Sequence, residues 1–288
     1  MAEMQKAVVV TGVSTGIGWG AAKVLTAAGY KVFGSVRKEA DAKRLQTELG
    51  ANFVPLIFDV TDEVAVRKAV ATVRSGLNGQ RLFGLVNNAG ISVVGPLLHI
   101  PLEEFRRQIE VNITGMLITI QAFGPLLGAD ENLKGAPGRV VNISSVGGTS
   151  AFPFIGAYNI SKFGVEALSE SLRRELLPFG IDVVVVAPGA VATAIWEKGE
   201  QADVSRYANT IYAGPLNKFK AVAAGQAAKG IKPEKLGQLI LQTLTVANPK
   251  VRYVITPEPF VHWVLNNFPK RRVDRIVGGQ LGLLPKKG

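Results

Sequence analysis

Seven short runs of β-branched and other apolar residues, separated by stretches with helical spacing, constrain this chain more than any other feature. The runs are Ala7–Val10, Lys31–Val36, Phe53–Phe58, Leu82–Asn87, Arg139–Ser144, Ile181–Ala187 and Val251–Thr256. Several are apolar without a break, as at Val183–Val186, the pattern of strands buried on both faces. Between them Asp62–Leu77, Leu102–Leu127, Tyr158–Leu177 and Glu234–Ala247 carry apolar residues at helical intervals. Strand–helix alternation implies right-handed βαβ units, hence an α/β, doubly wound parallel sheet with helices on both faces. No repeat or low-complexity linker divides the 288 residues, so 1–288 is expected to be one domain. The segment 190–232, between the sixth and seventh runs, is rich in Ala, Gly and Lys. Ligands in such sheets bind beyond the carboxyl ends of the strands, so this insertion is expected to be a substrate lid. Residues 258–288 are expected to form a C-terminal helical extension.

Several function classes drop out. The chain has no cysteine and only His99 and His262. That excludes a disulfide scaffold, thiolate zinc, iron–sulfur clusters, a cysteine nucleophile and a histidine-rich metal site. Val111–Ala129 and Val140–Ser161 lack charges, but Asn112, Gln121 and Pro125 interrupt the first and Ser, Gly, Asn and Pro153 the second. Both read as buried core and active-site wall rather than membrane spans. The start, MAEMQKAVVV, lacks the apolar stretch of a signal peptide, so a cytoplasmic location is expected. The N-x-[ST] matches at Asn112, Asn142 and Asn159 then read as chance. A net charge of +11 points to an anionic partner: a phosphorylated cofactor, an anionic membrane or nucleic acid. No nucleic-acid reader motif accompanies the charge, so that partner is not expected. The tail mixes Trp263, Val264, Leu265, Phe268, Ile276, Val277 and Leu281 with Lys270, Arg271, Arg272, Arg275, Lys286 and Lys287. Such a basic amphipathic segment either lies on an anionic membrane or packs as a cap beside the substrate mouth or a partner subunit.

The first run leads into Thr11-Gly12-Val13-Ser14-Thr15-Gly16-Ile17-Gly18 and a helical stretch. Glycines let the backbone approach a ligand closely, and the following helix aims free N–H groups and its positive dipole end at it. A pyrophosphate suits both. No Lys follows the glycines, so this is not a P-loop. Gly12-Val13-Ser14-Thr15-Gly16 also matches the G-x-S-x-G elbow of hydrolases, with His262 as a conceivable base. The second run ends in Arg37-Lys38 with no carboxylate at its tip. NAD sites place an acid there and NADP sites a cation, so NADP(H) is favoured over NAD(H). Tyr158 and Lys162 lie four apart in a helical stretch and share a face. A cation beside a phenol lowers its pKa and makes proton exchange feasible near neutrality.

Together these motifs resemble the short-chain dehydrogenase/reductase family. TGVSTGIG resembles its cofactor loop, Asn87-Asn88-Ala89-Gly90 its NNAG motif, and Pro188-Gly189 with Thr193 its PG motif. Asn112 lies where the family keeps an Asn in a long helix, and Ser145 stands 13 residues before Tyr158, the family's spacing. The resemblance implies a single-domain, seven-stranded Rossmann fold and an oxidoreductase acting between an alcohol and a carbonyl. It implies Tyr158 as general acid/base. Lys162 would hold the nicotinamide ribose hydroxyls and lower the Tyr158 pKa. Ser145 would bond the substrate oxygen, and Asn112 would hold a relay water. Ser144, adjacent to Ser145, points the other way and reads as a bonded strand end. Gly12, Thr15, Gly16, Ile17 and Gly18 would face the pyrophosphate, with Arg37 and Lys38 at the 2′-phosphate. Asp59 and Val60 would contact adenine. Asn88, Ala89 and Gly90 would line the ribose and nicotinamide end, and Pro188, Gly189, Val191 and Thr193 the carboxamide. Apolar walls at Ile91, Val93, Phe152, Phe154 and Trp196 suit a lipophilic alcohol or ketone. FGSVRK at the second run and SVGG starting at Ser145 resemble retinol- and hydroxysteroid-dehydrogenase-like members. Members commonly form homodimers or homotetramers through the helices carrying Asn112 and Tyr158. A competing expectation is a non-catalytic cofactor sensor with the same fold.

Overall fold

The seven apolar runs pair side by side into one parallel sheet. The computed structural model describes residues 5–192 and 204–285. Its strands are β1 Ala7–Val10, β2 Lys31–Val36, β3 Phe53–Ile57, β4 Gly84–Asn87, β5 Arg139–Ile143, β6 Asp182–Pro188 and β7 Arg252–Ile255. They run in the order β3-β2-β1-β4-β5-β6-β7. The helices are α1 Gly16–Ala27, α2 Glu39–Leu49, α3 Glu63–Gly76, α4 Leu102–Ile109, α5 Gly115–Gly124, α6 Gly156–Glu175, α7 Ala213–Ala228, α8 Pro233–Thr245, α9 Pro259–Asn267 and α10 Lys270–Leu281. The result is a single Rossmann-like domain. Strand order reverses at β1, which lies between β2 and β4, and this switch point opens a crevice at the strands' carboxyl ends.

Alternation along each strand divides the core into two layers. Val8, Val10, Val86, Val141 and Val186 face α1 and α8 with Ala21, Leu25, Leu236 and Ile240. Val9, Phe33, Leu85 and Val140 face the other side with Met116, Phe123, Leu126 and Val165. Burial of each such Val, Leu, Ile, Phe or Met side chain contributes roughly 1.5–3 kcal/mol, before the entropy of ordering it is subtracted.

A third, smaller cluster lies off the sheet. Phe154, Tyr207, Leu216, Phe219, Val273, Val277 and Leu281 pack together, joining α7, inside the insertion, to α10 at the end of the chain.

The long helix expected over Leu102–Leu127 is broken by a π turn at Glu110–Thr114 and another at Pro125–Ala129. The stretch Leu102–Ala129 has the length and apolarity to cross a membrane, yet half of its most apolar window is buried within the protein. Gln108, Asn112 and Thr119 are buried on its inner side. Asn112, Asn142 and Asn159 are all buried, so none offers a glycan acceptor.

Candidate active site

The glycine turn is shaped for close approach. Gly12 has φ of 70° and Gly16 of 65°, a region that L side chains rarely adopt. A Cβ on Gly18 would come within 2.3 Å of the Gly12 carbonyl oxygen and 2.4 Å of Asn88 Nδ2. Asn88 Nδ2 donates to the carbonyls of Thr11 and Gly12, at 2.9 and 3.0 Å. The Asn88 and Ala89 amides donate to Thr11 Oγ1, and the Gly12 amide to Ser35 Oγ. Helix α1 then begins with no side-chain cap and no acid in its first turn. Its N–H groups and dipole are left for an anion, so the residues here fit a dinucleotide pyrophosphate.

From this turn a cleft of about 1660 Å³ runs past the carboxyl ends of β1, β4, β5 and β6 to α7, α9 and α10. Tyr158 stands half-buried in its wall on the first turn of α6, with Lys162 one turn further on. Burial raises the Tyr158 pKa above its ordinary 10, and a hydrogen bond with the Ser145 hydroxyl works against that. The lowering by Lys162 expected from the spacing is therefore not found: loss of water around the phenol wins. Lys162 itself is pushed down to about 8 by burial, against the pull of Glu166. Its Nζ donates to the Ile143 carbonyl at 2.8 Å and lies 5.6 Å from the Tyr158 ring centroid. Ser145 Oγ accepts from the Gly147 amide at 3.0 Å. Ser144 is buried, and its amide donates to Val186, as a strand end does.

A layer of amides braces this wall. Asn112 Oδ1 accepts from the Ile91 amide at 2.9 Å, while Nδ2 donates to the Ile91 carbonyl and to Ser161 Oγ, at 3.1 and 3.0 Å. Both N–H groups of that side chain are thus committed to the loop after β4 and to α6. Gln108, one turn earlier, donates to the same Ile91 carbonyl and accepts from the Val93 amide. Deeper in, Thr119 donates to Asn87, Asn87 to Asn142 and Asn142 to Ser169. Gln108, Ser161 and this second chain were not foreseen from sequence. The four-residue spacing of Gln108 and Asn112 was the available signal.

Gly12, Thr15, Gly16, Ile17, Arg37, Asp59, Val60, Asn88, Ala89, Gly90, Ser145, Tyr158, Lys162, Pro188, Gly189 and Val191 all line the one cleft. Gly18 and Asn112 sit one layer behind it. Arg37 is exposed, with its guanidinium 3.8 Å from the Asp59 carboxylate. Lys38 does not line the cleft; it is exposed, just before α2. Among the expected substrate walls, Ile91 and Phe152 line the cleft, and Val93 and Phe154 do not. The backbone of Phe154 takes φ of 70°. Its ring packs at 6.0 Å from Tyr212 and 5.8 Å from Phe219, so it supports the wall from behind. Thr193 and Trp196 lie outside the described residues. The hydrolase reading gains nothing. His262 Nδ1 is 3.1 Å from the Asn266 amide, which supplies no charge to support an imidazolium.

The short chain dehydrogenase family pattern matches residues 6–203. This chain belongs to the short-chain dehydrogenase/reductase family. It is 37% identical over 269 residues to an NADPH-dependent 3-dehydrocapnine reductase of Ornithobacterium rhinotracheale, covering 93% of this chain and 94% of the relative. It is 32% identical over 296 residues to mitochondrial D-beta-hydroxybutyrate dehydrogenase of Rattus norvegicus, covering 94% and 83%. The crystal structure of a short-chain dehydrogenase from Streptomyces avermitilis superposes with a TM-score of 0.74 at 26% identity, over 98% of both chains. The chain is an oxidoreductase of the CH–OH/C=O class, and its family uses a nicotinamide cofactor.

Proposed function

We propose that this protein is an NADP(H)-dependent reductase of lipophilic ketones, running the reverse oxidation of secondary alcohols. The observation that carries the reading is the single cleft holding an uncapped helix start at one end and Ser145, Tyr158 and Lys162 on its wall. A bound nicotinamide supplies or accepts the hydride. Ser145 and Tyr158 hydroxyls converge on the position a carbonyl oxygen would take. Tyr158, kept protonated by burial, gives its phenolic proton to that oxygen as negative charge develops. Lys162, protonated below about pH 8, is placed to turn from the Ile143 carbonyl to ribose hydroxyls and then to favour the phenolate left on Tyr158. A π turn omits one α-helical hydrogen bond, so the backbone around Asn112, rather than its committed side chain, is the seat for a relay water.

Arg37 at the tip of β2 supports a 2′-phosphate, and the NADPH dependence named for the Ornithobacterium relative supports the same preference. The names of both relatives set the reacting oxygen on carbon 3, and the apolar walls Ile91, Phe152, Val264 and Leu265 favour a 3-ketone on a long chain. Helices α7 and α10, which line the cleft opposite the sheet, serve as the lid, and nothing in the chemistry needs a metal. Leu117, Ile160 and Phe163 stand exposed on α5 and α6, which supports a homo-oligomer through those helices.

The test is fluorescence titration with NADPH and NADH, followed by turnover on 3-dehydrocapnine, 3-oxobutyrate, retinal and a steroid ketone. Tight NADPH binding is expected, with turnover greatest on a long-chain ketone. In Tyr158→Phe, binding should persist and turnover fall by roughly 10²–10⁴. Near-full activity in that variant would refute the acid/base role. Binding without turnover on the whole panel would favour the sensor.

A further inference from the structure

Helices α9 and α10 leave an apolar ridge uncovered. Phe260 is 73% exposed, Trp263 54% and Ile276 58%. The rings form a continuous row: Phe260 stacks on Trp263 at 6.3 Å, and Trp263 meets Phe268 edge-on at 6.2 Å. Contiguous exposed apolar surface with a polar rim marks an interaction site, unlike scattered single residues. The rim here is cationic. Lys270, Arg271, Arg272 and Arg275 are all exposed in α10, with Asp274 the acid among them. The ridge is also continuous with the cleft, because Phe260, Val261 and Ile276 line it as well.

We infer that this face docks on a lipid bilayer carrying anionic headgroups, and that the lipophilic substrate reaches the cleft directly from the bilayer. Tryptophan prefers the membrane–water boundary. An amphipathic helix lying in that boundary buries its apolar side while its cations meet the headgroups. A second copy is the weaker occupant: an isologous contact through the ridge sets like cationic rims against each other. Substrate access from the bilayer rests on the lipophilic-ketone reading, whereas docking itself does not.

The test uses the full chain with vesicles of phosphatidylcholine, alone or with about one-third phosphatidylglycerol. Flotation should show binding to the anionic vesicles. Brominated lipid should quench a tryptophan signal that is missing in Trp263→Phe. The triple variant R271E/R272E/R275E should bind at least tenfold more weakly, with NADPH affinity and thermal stability unchanged. For a vesicle-borne long-chain ketone, anionic vesicles should raise kcat/KM in the wild type and not in the triple variant. Failure to float at low salt would overturn the docking, whatever the enzyme turns over. So would self-association abolished by Trp263→Gln in a protein that ignores vesicles. Docking with equal rates in wild type and triple variant would overturn the access route alone.

Discussion

Replacement of Lys162 by Met separates the cost of the active site from its use. The ammonium is buried, and burial brings its pKa from 10.5 to about 8. That difference corresponds to about 3 kcal/mol of folding free energy lost at pH 7, where both folded and unfolded chains carry the proton. Between about pH 8 and 10.5 the unfolded chain binds more protons at this lysine than the folded one. Its contribution to stability therefore rises with pH across that window, by about 2 kcal/mol between pH 7 and 9.5. Met fills the same space without the charge. It also abandons the 2.8 Å bond to the Ile143 carbonyl, a loss of about 1–3 kcal/mol. The two changes oppose each other, so cofactor-free Lys162→Met should be at least as stable as the wild type at pH 7 while losing turnover. Urea unfolding of both proteins at pH 7 and 9.5 measures this. The stability gap should move by about 2 kcal/mol in the wild type's favour on going to the higher pH. Parallel pH dependences in the two proteins would refute the argument that this ammonium is held at a cost.

Other substitutions probe the cleft from its two ends. Arg37→Ala should weaken NADPH binding by roughly 10–100-fold through lost charge-assisted hydrogen bonds, with NADH little changed; equal loss on titration with both would remove the phosphate role. Gly18→Ala drives a Cβ against the Gly12 carbonyl and Asn88, so both cofactors should bind at least tenfold more weakly in the same titration. Leu281→Ala opens the small cluster beneath the mouth at a cost of about 2–5 kcal/mol to that unit; substrate KM should rise while NADPH affinity holds, and thermal unfolding should report the loss.

The strands were legible because their side chains are buried on both faces and few residue types serve there. Their ends were less so. Leu82 and Phe83 read as part of the fourth run, but their amides bond to Leu126 and Ala7 and lie outside β4. The helix carrying Asn112 read as unbroken because its local pattern is helical throughout. The π turn accompanies contacts with Ile91 and Ser161, partners distant in the chain that no periodicity shows. Phe154 failed for a similar reason: an apolar residue near Tyr158 reads as wall, and only the backbone at φ of 70° turns it away. The spacing of Tyr158 and Lys162 sets both on one wall of the cleft. It gave the wrong sign for the phenol's pKa, because desolvation depends on everything packed around the site.

The small cluster that ties α7 to α10 makes the molecule divisible in a way its single sheet conceals. On the proposed reading the nucleotide is held by the two layers packed on the sheet, and the substrate is accepted beside a satellite contributed by residues far apart in the chain. Substitutions in the satellite can accumulate without loosening the nucleotide, which leaves substrate preference free to diverge while the redox partner stays constant. The same arrangement makes the last helix a hinge-post of the mouth, so a fusion or tag joined behind Leu281 would be felt as altered selectivity before it was felt as instability.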